Sequence, residues 1–156
     1  MTEQALLDLY SQRLKELGAS IKQDAPLPPE TAEASVRRRS PLCGSQVTFD
    51  VALDGEGRLD RIGWKARCCA LAAASTGLVV AAGPGSTLAE LQAMRDLLKR
   101  ILRQRSPERP TGKWADMAVL APAMDVPSRH GSALLAFETV VEAVAAALSK
   151  RASPSP

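Results

Sequence analysis

Aromatic side chains are scarce: two Trp, one Tyr and two Phe make up 3% of the 156 residues. Basic residues therefore have no aromatic partners to alternate with, and the stacking platforms that hold single-stranded nucleic acid are missing. No nucleic-acid partner is expected. Cysteine is limited to three residues, an odd number that leaves at least one unpaired, so a disulfide framework is not expected either. There is a single histidine, so a nitrogen-rich metal centre is excluded and any soft-metal site must draw on thiols. Long apolar runs are also lacking. The longest, Ala70 to Ala82, is interrupted by Ser75, Thr76 and Gly77 and is too short to cross a bilayer, so no membrane association is expected. Met1-Thr2-Glu3-Gln4 shows no basic start followed by an apolar block, and a cytoplasmic location is the expectation.

What is present is enough apolar matter for one core. Apolar residues are 46% of the chain, the net charge is only +3, and the length suits a single domain. We read residues 1–148 as that domain and 149–156 as a frayed tail. Thr2 is placed to cap a first helix carrying Leu6, Leu7, Tyr10, Leu14 and Leu17, closed by Gly18. The proline-rich stretch Asp24 to Glu30 reads as a crossing loop. Thr31 to Arg39 reads as an edge strand, its Arg37-Arg38-Arg39 discouraging unwanted pairing. Val47, Phe49, Val51 and Leu53 alternate with Thr48, Asp50 and Ala52, which predicts a strand with one buried and one exposed face. Asp54-Gly55-Glu56-Gly57 is a turn, and Leu59 to Lys65 returns as the partner strand.

Ala70 to Ala82 is predicted to be a buried helix stopped by Gly83-Pro84-Gly85. Thr87-Leu88-Ala89-Glu90 has the form of a capping box ahead of an apolar stripe from Leu88 to Leu102. Trp114 to Leu120 reads as a short helix, and Pro122 and Pro127 bracket a turn. A last helix runs from about Ser132 to Leu148, with Leu134, Leu135, Phe137, Val141 and Val144 facing inward. The predicted fold class is α+β, a small antiparallel sheet of about three strands packed against helices.

All three cysteines and the histidine fall where the local pattern changes. Cys43 lies in a turn whose Gly44 lets backbone approach a ligand closely. Cys68 and Cys69 stand where the second hairpin strand gives way to a helix, whose N-terminus favours a thiolate. His130 opens the last helix. Hairpin arms of similar length, rising ~3.3 Å per residue, bring Cys43 and Cys69 to the same end of the sheet. Two thiolates and an imidazole suit zinc, iron or an iron–sulfur cluster, and Cys43, Cys69 and His130 are the candidate ligands. Cys68 points elsewhere from Cys69 at a helix start and reads as packing.

Cys43-Gly44 ahead of an alternating strand resembles the first cysteine motif of the IscU/SufU/NifU-type iron–sulfur cluster assembly scaffolds. Trp64-Lys65-Ala66-Arg67-Cys68-Cys69, with the small residues through Ser75, resembles their second. Arg129-His130-Gly131-Ser132-Ala133-Leu134-Leu135 resembles the segment with their third cysteine. The resemblance spans the first helix to about Leu148. It implies the IscU/NifU-type fold, in which these loops converge. It also implies a scaffold role, not an enzymatic one in the ordinary sense: binding a 2Fe–2S cluster or an iron or zinc ion, and passing cluster or sulfur onward. The implied partners are a cysteine desulfurase and recipient apo-proteins, with a homodimer as one arrangement.

Only Cys43 and Cys69 match the family's ligands. Ser45 stands for its aspartate, Ser132 for its third cysteine, Gly131 for its histidine and Cys68 for its glycine. Ser132 is then a candidate cap for the last helix. The alternatives are a thiol-based sulfur acceptor using Cys69 without a stable metal, and a non-metal regulatory partner of the assembly machinery.

Overall fold

In a computed structural model, which describes residues 2–153, the chain folds as helix α1 (Glu3–Ala19), strands β1 (Ala34–Arg39), β2 (Gln46–Leu53) and β3 (Leu59–Arg67), and helices α2 (Ala70–Ala82) and α3 (Leu88–Gln104). A 3-10 run, Gly112–Asp125, and a short turn of the same kind, Pro127–Arg129, lead into α4 (His130–Ala152). The α+β expectation holds. The sheet is antiparallel with order β1-β2-β3.

Val47, Phe49 and Val51 on β2 are fully buried and face α4, as the alternation predicts. The opposite face is less exposed than expected, since Asp50 and Ala52 are buried too. The proline-rich segment before β1 lies across them. Ala25 exchanges both backbone hydrogen bonds with Trp64 at 2.9 and 3.1 Å, and the Leu27 N–H donates to Asp50 Oδ2 at 3.1 Å. Gly63 makes this close approach possible, because a Cβ there would run into the Leu27 nitrogen. The Ser35 hydroxyl donates to Asp50 Oδ1 at 2.6 Å, so the buried carboxylate is satisfied from two sides.

At the hairpin turn, Asp54 Oδ1 accepts the N–H groups of Glu56 and Arg58, and Gly57 takes φ +82°. The register runs from Leu53↔Leu59 beside the turn to Gln46↔Arg67 at the far end. Cys43 and Cys68-Cys69 therefore leave the sheet at the same end, as the arm lengths require.

Helix α4 is the hub. It packs on β1, β2, α2, α3 and the 3-10 run, and Ala133 to Phe137, Val140, Val141, Val144 and Ala147 are all buried. A helix apolar around most of its circumference belongs inside a core, and the strip bearing Glu138 and Glu142 is the part left at the surface. By length and composition the Pro127–Ala152 stretch is apolar enough to cross a membrane, which the search for unbroken apolar runs did not anticipate. Here 67% of its most apolar portion is buried against the other elements.

The helix also outruns its expected end at Leu148. Arg151 reaches back to Glu33 at 2.6 Å and to the Leu53 and Asp54 carbonyls, which holds the final turn in place. Of the expected frayed tail, 154–156 lie outside the described residues. Thr2 caps α1 by accepting the Ala5 N–H at 3.0 Å, and Thr87 caps α3 through Glu90 N–H at 3.1 Å. Glu90 does not complete the capping box; its carboxylate faces Arg58. The segment expected as a short helix and a turn is one 3-10 run with Pro122 inside it. Trp114, Met117 and Leu120 are buried at a spacing of three, which is the 3-10 period.

Helix α2 crosses α1 at its small residues. A Cβ on Gly77 would collide with the Leu17 carbonyl oxygen and lie 2.9 Å from Ser20 Oγ. Gly77→Ala should therefore lower stability by at least ~2 kcal/mol, as overpacking at a backbone contact does. Urea unfolding read by circular dichroism checks this. An unchanged midpoint would mean that the two helices are not in contact there.

Candidate functional site

The Cys43 loop is the tip of the β1-β2 hairpin. Ser40 and Ser45 close it, the Ser40 N–H donating to the Ser45 carbonyl and the Gly44 N–H to the Ser40 carbonyl, both at 2.8 Å. Gly44 takes φ +72°, a conformation that glycine adopts without strain. Ser45 is buried and points at the thiol: its Oγ lies 3.1 Å from Cys43 Sγ, and its N–H donates to the same sulfur at 3.4 Å. The same Oγ accepts the Cys69 N–H at 3.0 Å. One hydroxyl thus ties the first cysteine loop to the N-terminus of α2.

The third stretch arrives at the same place. A Cβ on Gly131 would touch Ser40 Oγ at 3.5 Å, so the start of α4 lies against the Cys43 loop. Ser132 is fully buried, and its hydroxyl biases Cys43 toward ionisation while making no well-aligned hydrogen bond to any group. It is not the helix cap expected from the sequence, because α4 begins at His130 and Ser132 sits inside the first turn. The three loops therefore meet at the thiol end of the sheet.

The electrostatics single out Cys43. Burial opposes its ionisation, yet the hydroxyls of Ser132, Ser40 and Ser45 and the Ser45 N–H outweigh burial and pull the thiol down to about 6. Ser40 enters only through the structure; a serine at each end of a cysteine-containing turn is the sign the sequence offers. Cys68 behaves oppositely. Burial pushes its thiol up to about 11, its Sγ lies 3.6 Å from the Gln46 carbonyl, and it lines a cavity of about 380 Å³ between α1 and the start of α2. Cys69 is half-buried at the N-cap of α2, with no hydrogen bond from its side chain to the helix.

His130 does not join the thiols. Its Nε2 lies 3.3 Å from the Met124 carbonyl, within the turn that precedes α4. Among the described residues no three Cys, His, Asp or Glu side chains are grouped to hold a metal ion. Arg67 is paired with Asp24 at 3.1 Å on the outer face of the sheet. Two thiols flanked by hydroxyls suit a soft metal better than a hard one. They do not form a finished ligand set.

No family model matches the chain, and no curated protein matches it either. Solved structures do. A nitrogen-fixing NifU-like protein (N-terminal) from Brucella abortus is 31% identical with a TM-score of 0.82, the match covering 92% of this chain and 96% of that one. A hypothetical protein at 22% identity has a TM-score of 0.73, covering 88% of this chain and 98% of the other. A candidate iron–sulfur cluster assembly scaffold protein for the SUF system of Fervidobacterium islandicum AW-1 is 20% identical with a TM-score of 0.74, covering 87% and 96%. The last two share the fold. The first shares sequence along nearly its whole length as well, and the chain therefore belongs to the NifU-like family, of the IscU/SufU/NifU type.

Proposed function

We propose that this chain is a scaffold-type carrier in iron–sulfur cluster assembly, taking up a cluster, or its iron and sulfur, at the thiol end of the sheet and passing it to a partner. The observation that carries the reading is the convergence of the three loops on Cys43: Ser45 joins it to the Cys69 N–H, and the start of α4 lies against Ser40. The described roles of the NifU-like and SUF-system relatives support it. In this reading Cys43 and Cys69 are the cargo-holding thiols, and His130 joins them when its ring leaves the Met124 carbonyl. Iron and zinc take thiolate far better than hydroxyl. With Ser132 at the third position the cargo is held incompletely, which favours its release to a recipient with more thiolates.

Sulfur acceptance is the second reading, and the promoted ionisation of the Cys43 thiol favours it. The Cys43 thiolate attacks the outer sulfur of a donor cysteine persulfide. A new S–S bond forms as the donor's S–S bond breaks, and the donor cysteine leaves as a thiolate, with no net redox change. The sequence pointed to Cys69 for this role. The hydroxyls are gathered around Cys43 instead.

Anaerobic reconstitution with ferrous iron and sulfide tests the carrier reading. Cys43→Ala and Cys69→Ala should each remove most of the bound iron and acid-labile sulfide. Cys68→Ala should leave them near wild type, and His130→Ala should cost less than either ligand thiol. Ser132→Cys should lengthen cluster lifetime against a chelator, with little loss of fold, since no cap is disturbed. Full cluster content in both Cys43→Ala and Cys69→Ala would sink the carrier reading.

Alkylation of the apo-protein tests the thiols directly. With its thiol pulled down to about 6, Cys43 is largely thiolate at pH 7, so iodoacetamide should modify it long before Cys68, and its rate should fall as pH drops through 6. Ser45→Ala should move its midpoint upward. Peptide mass mapping across pH 5 to 9 reads both effects. A Cys43 midpoint at the ordinary thiol value would remove the basis for sulfur acceptance.

A further inference from the structure

The outer face of the sheet is covered at its turn end by the segment before β1, and at its thiol end it is open. The register sets Arg37, Thr48 and Lys65 in one row across the strands, and Arg39, Gln46 and Arg67 in the next. Alternate residues share a face. The intervening row confirms which face this is, because Arg38 on the other side reaches α4 at Glu138 and Glu142. Arg37, Arg39, Lys65 and Arg67 are exposed, and the side chain of Arg67 is 75% accessible.

Asp24 is the one carboxylate lining the depression at this end, and it is already engaged by Arg67 and by the Ala66 N–H at 3.0 Å. Lys65 also borders an adjoining depression with Asp50 and Glu33, whose carboxylates are engaged by Ser35 and the Leu27 N–H and by Arg151. Among the described residues Arg37, Arg39 and Lys65 have no ion-pair partner. Four cations against one carboxylate give this small area a net +3, equal to that of the whole chain. Between them lies a shallow depression of about 200 Å³ with Gln46 and Thr48 on its central strand.

Protection of an edge strand accounts for charges on β1. β3 is the other edge strand, so the same protection applies to Lys65 and Arg67, but it does not call for cations from both edges to share one face, with a single uncharged residue between them in each row. Unpaired like charges at this spacing repel and lower stability. The patch also continues onto the thiol loops. The Arg39 guanidinium lies 3.7 Å from where a Gly44 Cβ would sit, and Cys68-Cys69 directly follow Arg67.

We propose that this half-face is a docking surface for an acidic segment of a protein partner, whose carboxylates enter the depression beside Thr48 and Gln46. Charge complementarity would steer such a partner and set its register, and the position would hold it over Cys43 and Cys69. That the partner exchanges cargo rests on the carrier reading above; the binding of carboxylates does not. A nucleic acid is the poorer fit, because the face carries no aromatic side chain: Trp64 lies in the row with Phe49, on the α4 side.

The test uses the full-length protein, isotopically labelled, titrated with a capped hexaglutamate peptide and followed by amide chemical shifts. Hexaglutamine and an oligothymidylate serve as comparison probes. We expect hexaglutamate to move the amides of 37–39, 46–48 and 65–67, with the effect weakening as salt shortens the electrostatic range. Arg37→Glu with Lys65→Glu should weaken binding about tenfold or more. Arg37→Gln with Lys65→Gln, a gentler pair at exposed positions, should weaken it in the same direction. Shifts centred on the arginines of α3, unchanged affinity in both double variants, or tighter binding of the oligothymidylate would each overturn the proposal. Loss of cluster binding in Cys43→Ala with hexaglutamate binding intact would leave it standing, which separates it from the carrier reading.

Discussion

The hydroxyl of Ser45 is shared between the Cys43 thiol and the Cys69 N–H, and the thiol end depends on that sharing. A serine oxygen can accept one hydrogen bond and donate another. Accepting from Cys69 leaves its proton free for the Cys43 sulfur, so the bond that fastens the two loops also stabilises the thiolate. An aspartate at this position, as the family pattern has it, would offer a charge and acceptors but no donor. A negative charge there would oppose ionisation of the adjacent thiol. A serine here thus favours the Cys43 thiolate where an aspartate would oppose it.

That arrangement can be held at a sheet end because the core does not rely on it. Phe49, Val47 and Val51 meet α4, whose buried residues extend around most of its circumference, and removing a side chain such as Phe137 would cost about 3–5 kcal/mol. The hairpin turn fixes the register from the opposite end, so the separation of Cys43 and Cys69 is set by strand length rather than by contacts between their side chains. The loops bearing the thiols are short extensions of β1, β2, β3 and α2. Their positions are inherited from the elements on which the core is built.

Much of this was legible in the chain. The alternation from Val47 to Leu53, the Asp54-Gly57 turn and the run from Ala70 to Gly83 are strong periodic signals. Equal arms joined by a tight turn leave only one place for the cysteines to emerge. The buried outer positions Asp50 and Ala52 were not legible, because they depend on a segment distant in sequence and on the missing Cβ of Gly63. The 3-10 run escaped because Pro122 reads as a break when a four-residue turn is assumed. The direction of the His130 ring follows from the turn at Met124, and no spacing rule reports it. Serines were passed over because singly they are ordinary; only the closed hairpin tip makes Ser40 and Ser45 neighbours of one sulfur.

Ser132 carries the remaining step. Its Oγ is the one buried side-chain polar atom without a hydrogen-bond partner among the described residues, in a fold that otherwise satisfies groups as deep as Ser75 and Thr139. Leaving a buried hydroxyl unpaired costs about 1–3 kcal/mol, and an alanine at this position would fill similar space without that cost. No packing gain nearby requires an oxygen, since its neighbours Ala133 to Phe137 are apolar and close-packed. The cost falls at the thiol end and nowhere else among the described residues, beside the sulfur whose ionisation the same hydroxyl promotes. An unsatisfied hydroxyl beside that thiol is destabilising in itself and offsets this only through the sulfur it helps to ionise. Stability is spent locally, at the position where the family pattern places a ligand.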